Sequence, residues 1–202
     1  MVFDLGNLTF RHLWQIWLID VTAANVSIAL IAMLCIGSYL WGVRAHFRQD
    51  GAMPLGMRII ALASVGGYLV MLGLLLVNSA SAISKVLGTA LMLLSLAIFW
   101  WAVGTTRGRN LALAYSIDSP ASLVHDGPYR FVRHPFYLSY LCFWVAGVVA
   151  TATSAFGVMF FLMLALYLRA ALMEEAKFLG SPLENSYRQF QAETGMFLPR
   201  LK

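Results

Sequence analysis

Residues 136–172 read FYLSYLCFWVAGVVATATSAFGVMFFLMLALYLRAAL. The run carries one charge, Arg169, near its end. A helix needs about 20 apolar residues to cross a bilayer core, so this run is too long for one span and just long enough for two. Its only credible reversal is Thr151-Ala152-Thr153-Ser154, at the middle, and so short a connection makes the flanking helices an antiparallel pair.

Comparable apolar runs lie at 22–43, 57–77 and 83–103. Together they predict an all-α integral membrane protein with about five transmembrane helices and a polar C-terminal region. Composition agrees: of 202 residues, 60% are hydrophobic and 11% charged, with a mean hydropathy of +0.76. A soluble domain of this length needs more polar surface than that. The net charge of +5 does not point to nucleic acid, because the basic residues stand singly among apolar segments.

Their placement sets an orientation. Arg44, Arg48 and Arg58 lie between the first two spans, and Arg107, Arg109, Arg130 and Arg133 between the third and fourth. Arg169, Lys177, Arg188, Arg200 and Lys202 close the fifth span and the tail; Arg11 and Lys85 fall on the other side. Basic residues favour the cytoplasmic face, which predicts the N-terminus outside and the C-terminus inside. Residues 10–20 are too short to span, and Trp14 and Trp17 share a helical face suited to the interface. The N-terminus, with Asp4, Arg11 and Asp20 around a short apolar stretch, lacks the basic region of a cleavable signal. Cys35 and Cys142 fall inside spans, as apolar packing residues rather than a disulfide framework, and no metal site is expected. The chain thus divides into 1–103, an interfacial segment with spans one to three, and 104–202, a cytoplasmic loop, the helical hairpin and a polar tail.

Two segments hold the chemistry. In His125-Asp126-Gly127-Pro128-Tyr129-Arg130-Phe131-Val132-Arg133-His134-Pro135-Phe136-Tyr137, Gly-Pro sets a turn and Pro135 suits the first turn of a helix. His134 then stands at a helix N-terminus, where free N–H groups and the dipole attract an anion, with Tyr137 one turn away. His134 as a simple cap, with Arg133 and Tyr137 as interface anchors, is the competing reading. Glu174 and Glu175, at the end of the last apolar run, are costly unless they meet water, a cation or a polar cavity. Arg169 precedes them by five and six positions and can share a helical face with one of them. The hairpin brings His134 and the glutamates to the same membrane face.

The run Gly127-Pro128-Tyr129-Arg130-x-Val132-Arg133-His134-Pro135-x-Tyr137, followed after the hairpin by Glu174-Glu175, resembles the RHPxY…EE pattern of the isoprenylcysteine carboxyl methyltransferase family, related to the phospholipid N-methyltransferases. The likeness covers residues 104–199, roughly half the chain. It implies a 104–202 methyltransferase-like region that uses S-adenosyl-L-methionine, with cofactor contacts from Leu123, Val124, Tyr129, His134, Pro135, Tyr137 and one of the two glutamates. Arg169 corresponds to the arginine facing the methyl acceptor. The implied partners are the lipid bilayer and a lipidic or prenylated small-molecule acceptor, an isoprenylcysteine-type carboxylate before a phospholipid amine. The chain departs from the family at Ala121, where many relatives have histidine, and at Phe190, where the tail has a second tyrosine. The spacing of Arg169 to the glutamates leaves either Glu174 or Glu175 as the match.

An acceptor carboxylate is already ionised and needs only Arg169 to orient it. An acceptor amine needs a base, for which Glu174 or Glu175 is the candidate. A sterol-type NADPH reductase and a non-enzymatic membrane scaffold are the competing classes.

Overall fold

The computed structural model describes residues 5–46, 53–77, 80–109 and 122–200, and for residues 5–22 the backbone alone. Six α-helices follow one another among the described residues: α1 (Leu5–Trp41), α2 (Leu55–Val77), α3 (Ala82–Thr106), α4 (Pro135–Thr151), α5 (Ser154–Ala176) and α6 (Glu184–Glu193). A π-helical turn, Gly42–His46, extends α1, and a 3₁₀ turn, Gly127–Arg130, precedes α4. No strand occurs among the described residues.

Four segments are long and apolar enough to cross a membrane: Ala23–His46, Leu55–Val77, Ala82–Thr106 and Ser154–Ala176. Their outward faces are apolar too. Leu30, Leu34, Leu62, Leu69, Val86, Leu93, Phe161 and Leu172 are all more than 45% exposed. Helices apolar all round belong in lipid, and the protein is an all-α integral membrane protein.

The apolar run that opens the reading folds as the expected hairpin. α4 ends at Thr151, Ala152 takes a left-handed backbone (φ 50°), and Thr153 is the N-cap of α5. α4 itself is only 17 residues long, shorter than the other four apolar helices. It compensates by position. Phe143, Trp144, Ala146 and Ala150 are at most 1% exposed, so α4 packs against protein where its neighbours face lipid. Of the span-two glycines, only Gly67 serves close packing: a Cβ there would lie 2.7 Å from the Trp144 ring, whereas Gly66 and Gly73 face open space.

α1 begins earlier than its apolar run. Its helical backbone continues unbroken from Leu5 through residues 10–20, the stretch expected at the interface. The side chains of Trp14 and Trp17 lie outside the described residues. Both cysteines are free and sit against carbonyls of α3, Cys35 on Met92 and Cys142 on Leu91.

Candidate active site

The site forms where the head of α4, the foot of α5 and the tail after α6 meet. Pro135 starts α4 and His134 is its N-cap residue, yet the His134 side chain makes no capping bond. Its ring turns to α5 instead: Nδ1 lies 3.2 Å from Glu174 Oε2 and Nε2 lies 3.1 Å from Glu175 Oε1. This overturns the capping alternative. It also means that the carboxylates beside His134 are the protein's own. Two acceptors on two ring nitrogens require both nitrogens to donate, so the imidazolium is the form that fits. Burial alone pushes the His134 pKa down, but the hydrogen bonds and charges of Glu174 and Glu175 outweigh it and hold it above the ordinary 6.5.

The adjacent glutamates have different surroundings. Glu175 is buried and accepts from Arg133 Nε (2.8 Å), His134 Nε2 (3.1 Å) and Gln191 Nε2 (2.7 Å). Its lone pairs are largely taken. Glu174 is turned toward the opening, with its side chain 26% exposed, and accepts from Tyr137 Oη at 2.7 Å. Successive helical residues point about 100° apart, which divides the pair into an inner and an outer carboxylate.

A strap of tail closes the cluster. Arg133 N donates to Gly195 O (2.8 Å) and His134 N to Met196 O (3.1 Å), and the Arg133 guanidinium reaches Thr194 O. Gly195 is required there, because a Cβ would sit 1.7 Å from Leu198 O. Phe197 then stands edge-on to His134 and Tyr137, whose rings stack at 5.6 Å.

Beside this polar cluster lies an aromatic one. Val124, Tyr129, Tyr187 and Phe190 are buried together, with Leu123 and Phe178 packed on them. Phe178 and Tyr187 stack at 4.0 Å. Gly127 makes the approach possible: its φ is +57°, and a Cβ would collide with Thr105 Oγ1 of α3. Burial pushes the Tyr129 and Tyr187 phenols up, and the charges of Glu174 and Glu175, respectively, add to it.

Leu123, Val124, Tyr129, His134, Pro135, Tyr137, Glu174 and Glu175 therefore gather into two adjoining clusters. Arg169 does not join them. It is exposed on α5 and makes no hydrogen bond or ion pair to either glutamate. Ala121 lies outside the described residues. Sequence reasoning missed Arg133 and Gln191 as members of the cluster. A signal existed for Gln191, because Tyr187, Phe190, Gln191 and Thr194 recur at helical spacing in an otherwise polar segment. Arg133 opens the Arg133–Tyr137 motif, yet an arginine beside a span also serves as an anchor, which masks its role in the cluster.

Between α1, α2, α4 and α5 a narrow apolar cleft of about 40 Å³ opens among Tyr39, Met57, Ile60, Ser64, Tyr140 and Tyr167. Tyr137 lines it as well, so one tyrosine touches both the cleft and Glu174.

The fold and site define a membrane protein with a charged cluster at one end of an apolar bundle. Residues 86–181 match the family model described as the Isoprenylcysteine carboxyl methyltransferase (ICMT) family, the same family that the Arg133–Tyr137 and Glu174–Glu175 motifs resemble. The match runs from the first turns of α3 to just past α5, leaving α1, α2, α6 and the tail strap outside it. Neither the curated proteins nor the solved structures contain a match to the chain.

Proposed function

We propose that the chain is a methyltransferase that moves a methyl group from S-adenosyl-L-methionine to a lipidic acceptor, with an isoprenylcysteine-type carboxylate as the favoured one. The observation that carries this reading is that the family match spans His134, Tyr137, Glu174 and Glu175, residues which converge within hydrogen-bond distance. The donor set suits the cofactor. A partly open carboxylate, Glu174, lies near enough to Tyr129 for its charge to act there, and Tyr129 belongs to the aromatic cluster with Tyr187 and Phe190; aromatic faces attract cations by about 0.5–2 kcal/mol each. S-Adenosylmethionine, when bound, supplies a methyl activated on a sulfonium.

The chain's own residues then have separable tasks. Glu175, Arg133 and Gln191 hold the end of α5 against the head of α4. Tyr137 and His134 fix the outer carboxylate, Glu174, toward the cation. Leu123 and Val124 wall the aromatic cluster, and Pro135 sets the α4 turn that places His134. The apolar cleft takes the hydrocarbon of the acceptor and leads it to Tyr137, so that positioning of two reactants supplies most of the rate gain. Arg169, on the outward face of α5, is the group offered to an acceptor carboxylate arriving from the bilayer, with the C-terminal side cytoplasmic.

Incubation of the purified protein with methyl-labelled S-adenosylmethionine and a prenylated cysteine tests the reading. A labelled product that releases its methyl as methanol in base is the expected outcome. A base-stable label on phosphatidylethanolamine would move the acceptor to an amine. Saturable binding of NADPH, with none of S-adenosylhomocysteine, would sink the methyltransferase assignment. Arg169→Ala is expected to lose acceptor use while S-adenosylhomocysteine binding stays within twofold or so, since a charge-assisted bond carries roughly 1.5–3 kcal/mol; equal loss of both in a titration would remove Arg169 from the acceptor.

A further inference from the structure

A second cleft, of about 500 Å³, lies between the ends of α1 and α3, apart from the His134 cluster. Its apolar wall is Trp41, Trp100 and Val103, with Gly104 among them, and its basic mouth is Arg107 and Arg109, with His46 beside them. Among the described residues, no acidic side chain lines it. The wall is firmly set. Trp41 stacks on Trp100 at 5.2 Å and on the His46 ring at 6.3 Å. His46 is brought there by the π-helical turn, and its ring is pinned from below. Thr106 Oγ1 donates to Ala102 O, so it accepts from His46 Nε2 at 2.7 Å. Arg109 is paired with Asp126 at 2.7 Å. Arg107 is exposed and makes no ion pair with any described residue. A Cβ at Gly104 would meet nothing within 4 Å.

We propose that this cleft binds the head group of an anionic phospholipid, its phosphate on Arg107 and its glycerol and upper acyl chain against Trp41 and Trp100. Three features select a lipid over other ligands. Apolar rings are continuous with the membrane-spanning faces of α1 and α3. The positive charge sits only at the mouth, beyond the last turn of α3. Basic pockets between membrane helices recognise anionic head groups through this division of polarity. Arginine holds phosphate through paired N–H donors, and tryptophan favours the interfacial depth where the glycerol lies. No residue of the His134 cluster lines the cleft, so the site stands whether or not the methyl-transfer reading holds.

The full chain in nanodiscs of phosphatidylcholine mixed with phosphatidylglycerol, released into native mass spectrometry, tests it. The expected result is preferential retention of phosphatidylglycerol. Arg107→Gln should lower that retention roughly tenfold, the worth of one lost charge-assisted contact. Gly104→Leu should lower it comparably by filling the cleft. The leucine side chain meets open space and improves helix propensity, so this variant tests the site even if Arg107→Gln fails to fold. Unchanged retention in Gly104→Leu, or equal retention of phosphatidylcholine, would overturn the proposal. Displacement by inorganic phosphate as effective as by lysophosphatidylglycerol would overturn the lipid assignment.

Discussion

One turn inside α4, Ser139 Oγ donates to Ser95 O, Ser95 Oγ donates to Ser139 O at 2.7 Å, and the buried Tyr39 hydroxyl bonds to Ser95 Oγ. At the head of the same helix, Arg133, His134, Glu174 and Glu175 form a network of full charges. Both networks tie helices together, and both are largely buried. They differ in what they ask of the solvent. Neutral hydroxyls can satisfy one another and the backbone without water, so they are tolerated where α1, α3 and α4 cross the apolar layer. Ionised groups are tolerated only where partners and an aqueous edge offset their desolvation. A single turn of α4 separates the two regimes, and that turn carries Tyr137, the residue common to the polar site and the apolar cleft.

Breaking the charged network should have the largest effect. Glu175→Ala strands Arg133 beneath the tail strap, and loss of one member of a buried pair typically costs about 3–5 kcal/mol. Thermal unfolding in detergent should show this as a clear drop in Tm. Glu174→Gln sharpens the contrast within the pair: it should leave Tm nearly unchanged while weakening the binding of S-adenosyl-L-methionine, measured by calorimetry, more than that of S-adenosylhomocysteine, which lacks the sulfonium charge. If both variants destabilise equally, the inner and outer division of the carboxylates is wrong.

Removing a member of the neutral network should cost less. Ser95→Ala removes the bond between the Tyr39 hydroxyl and Ser95, and hydrogen bonds between membrane helices contribute about 0.6–1.7 kcal/mol. The smallest effect is that of pH. His134 has a raised folded pKa, so its contribution is fully present below the ordinary value of 6.5 and is lost as pH rises through the higher folded value. Tm should therefore decline as pH rises from 6.5 through the higher folded value, and His134→Gln should flatten that limb. An identical limb in the variant would assign the decline to another group.

The membrane character, the hairpin break at Thr151–Ser154 and the membership of most of the site were legible in the sequence. Each rests on local chemistry: apolar length, a short polar interruption, and motif residues whose types are unusual beside a span. Arg133 and Gln191 were harder because their roles depend on what they face. The same arginine is an anchor when it faces water and a buried counter-ion when a strap covers it. Arg169 illustrates the converse, since sequence spacing allowed it near the glutamates and the rotation of α5 turns it outward. The shortness of α4 was hidden for a similar reason, because composition does not distinguish a helix that meets lipid from one enclosed by its neighbours.

The sequence by itself determined that this chain inhabits a membrane and that His134, Tyr137 and two glutamates share one end of it. Apolar length and chain reversal are properties of the covalent order alone. Only the tertiary structure decided which glutamate is inner and which is outer, and that the tail closes over Arg133 and His134. Those outcomes depend on the rotation of α5 about its axis and on contacts between residues as far apart as Arg133 and Gly195, which no local pattern specifies.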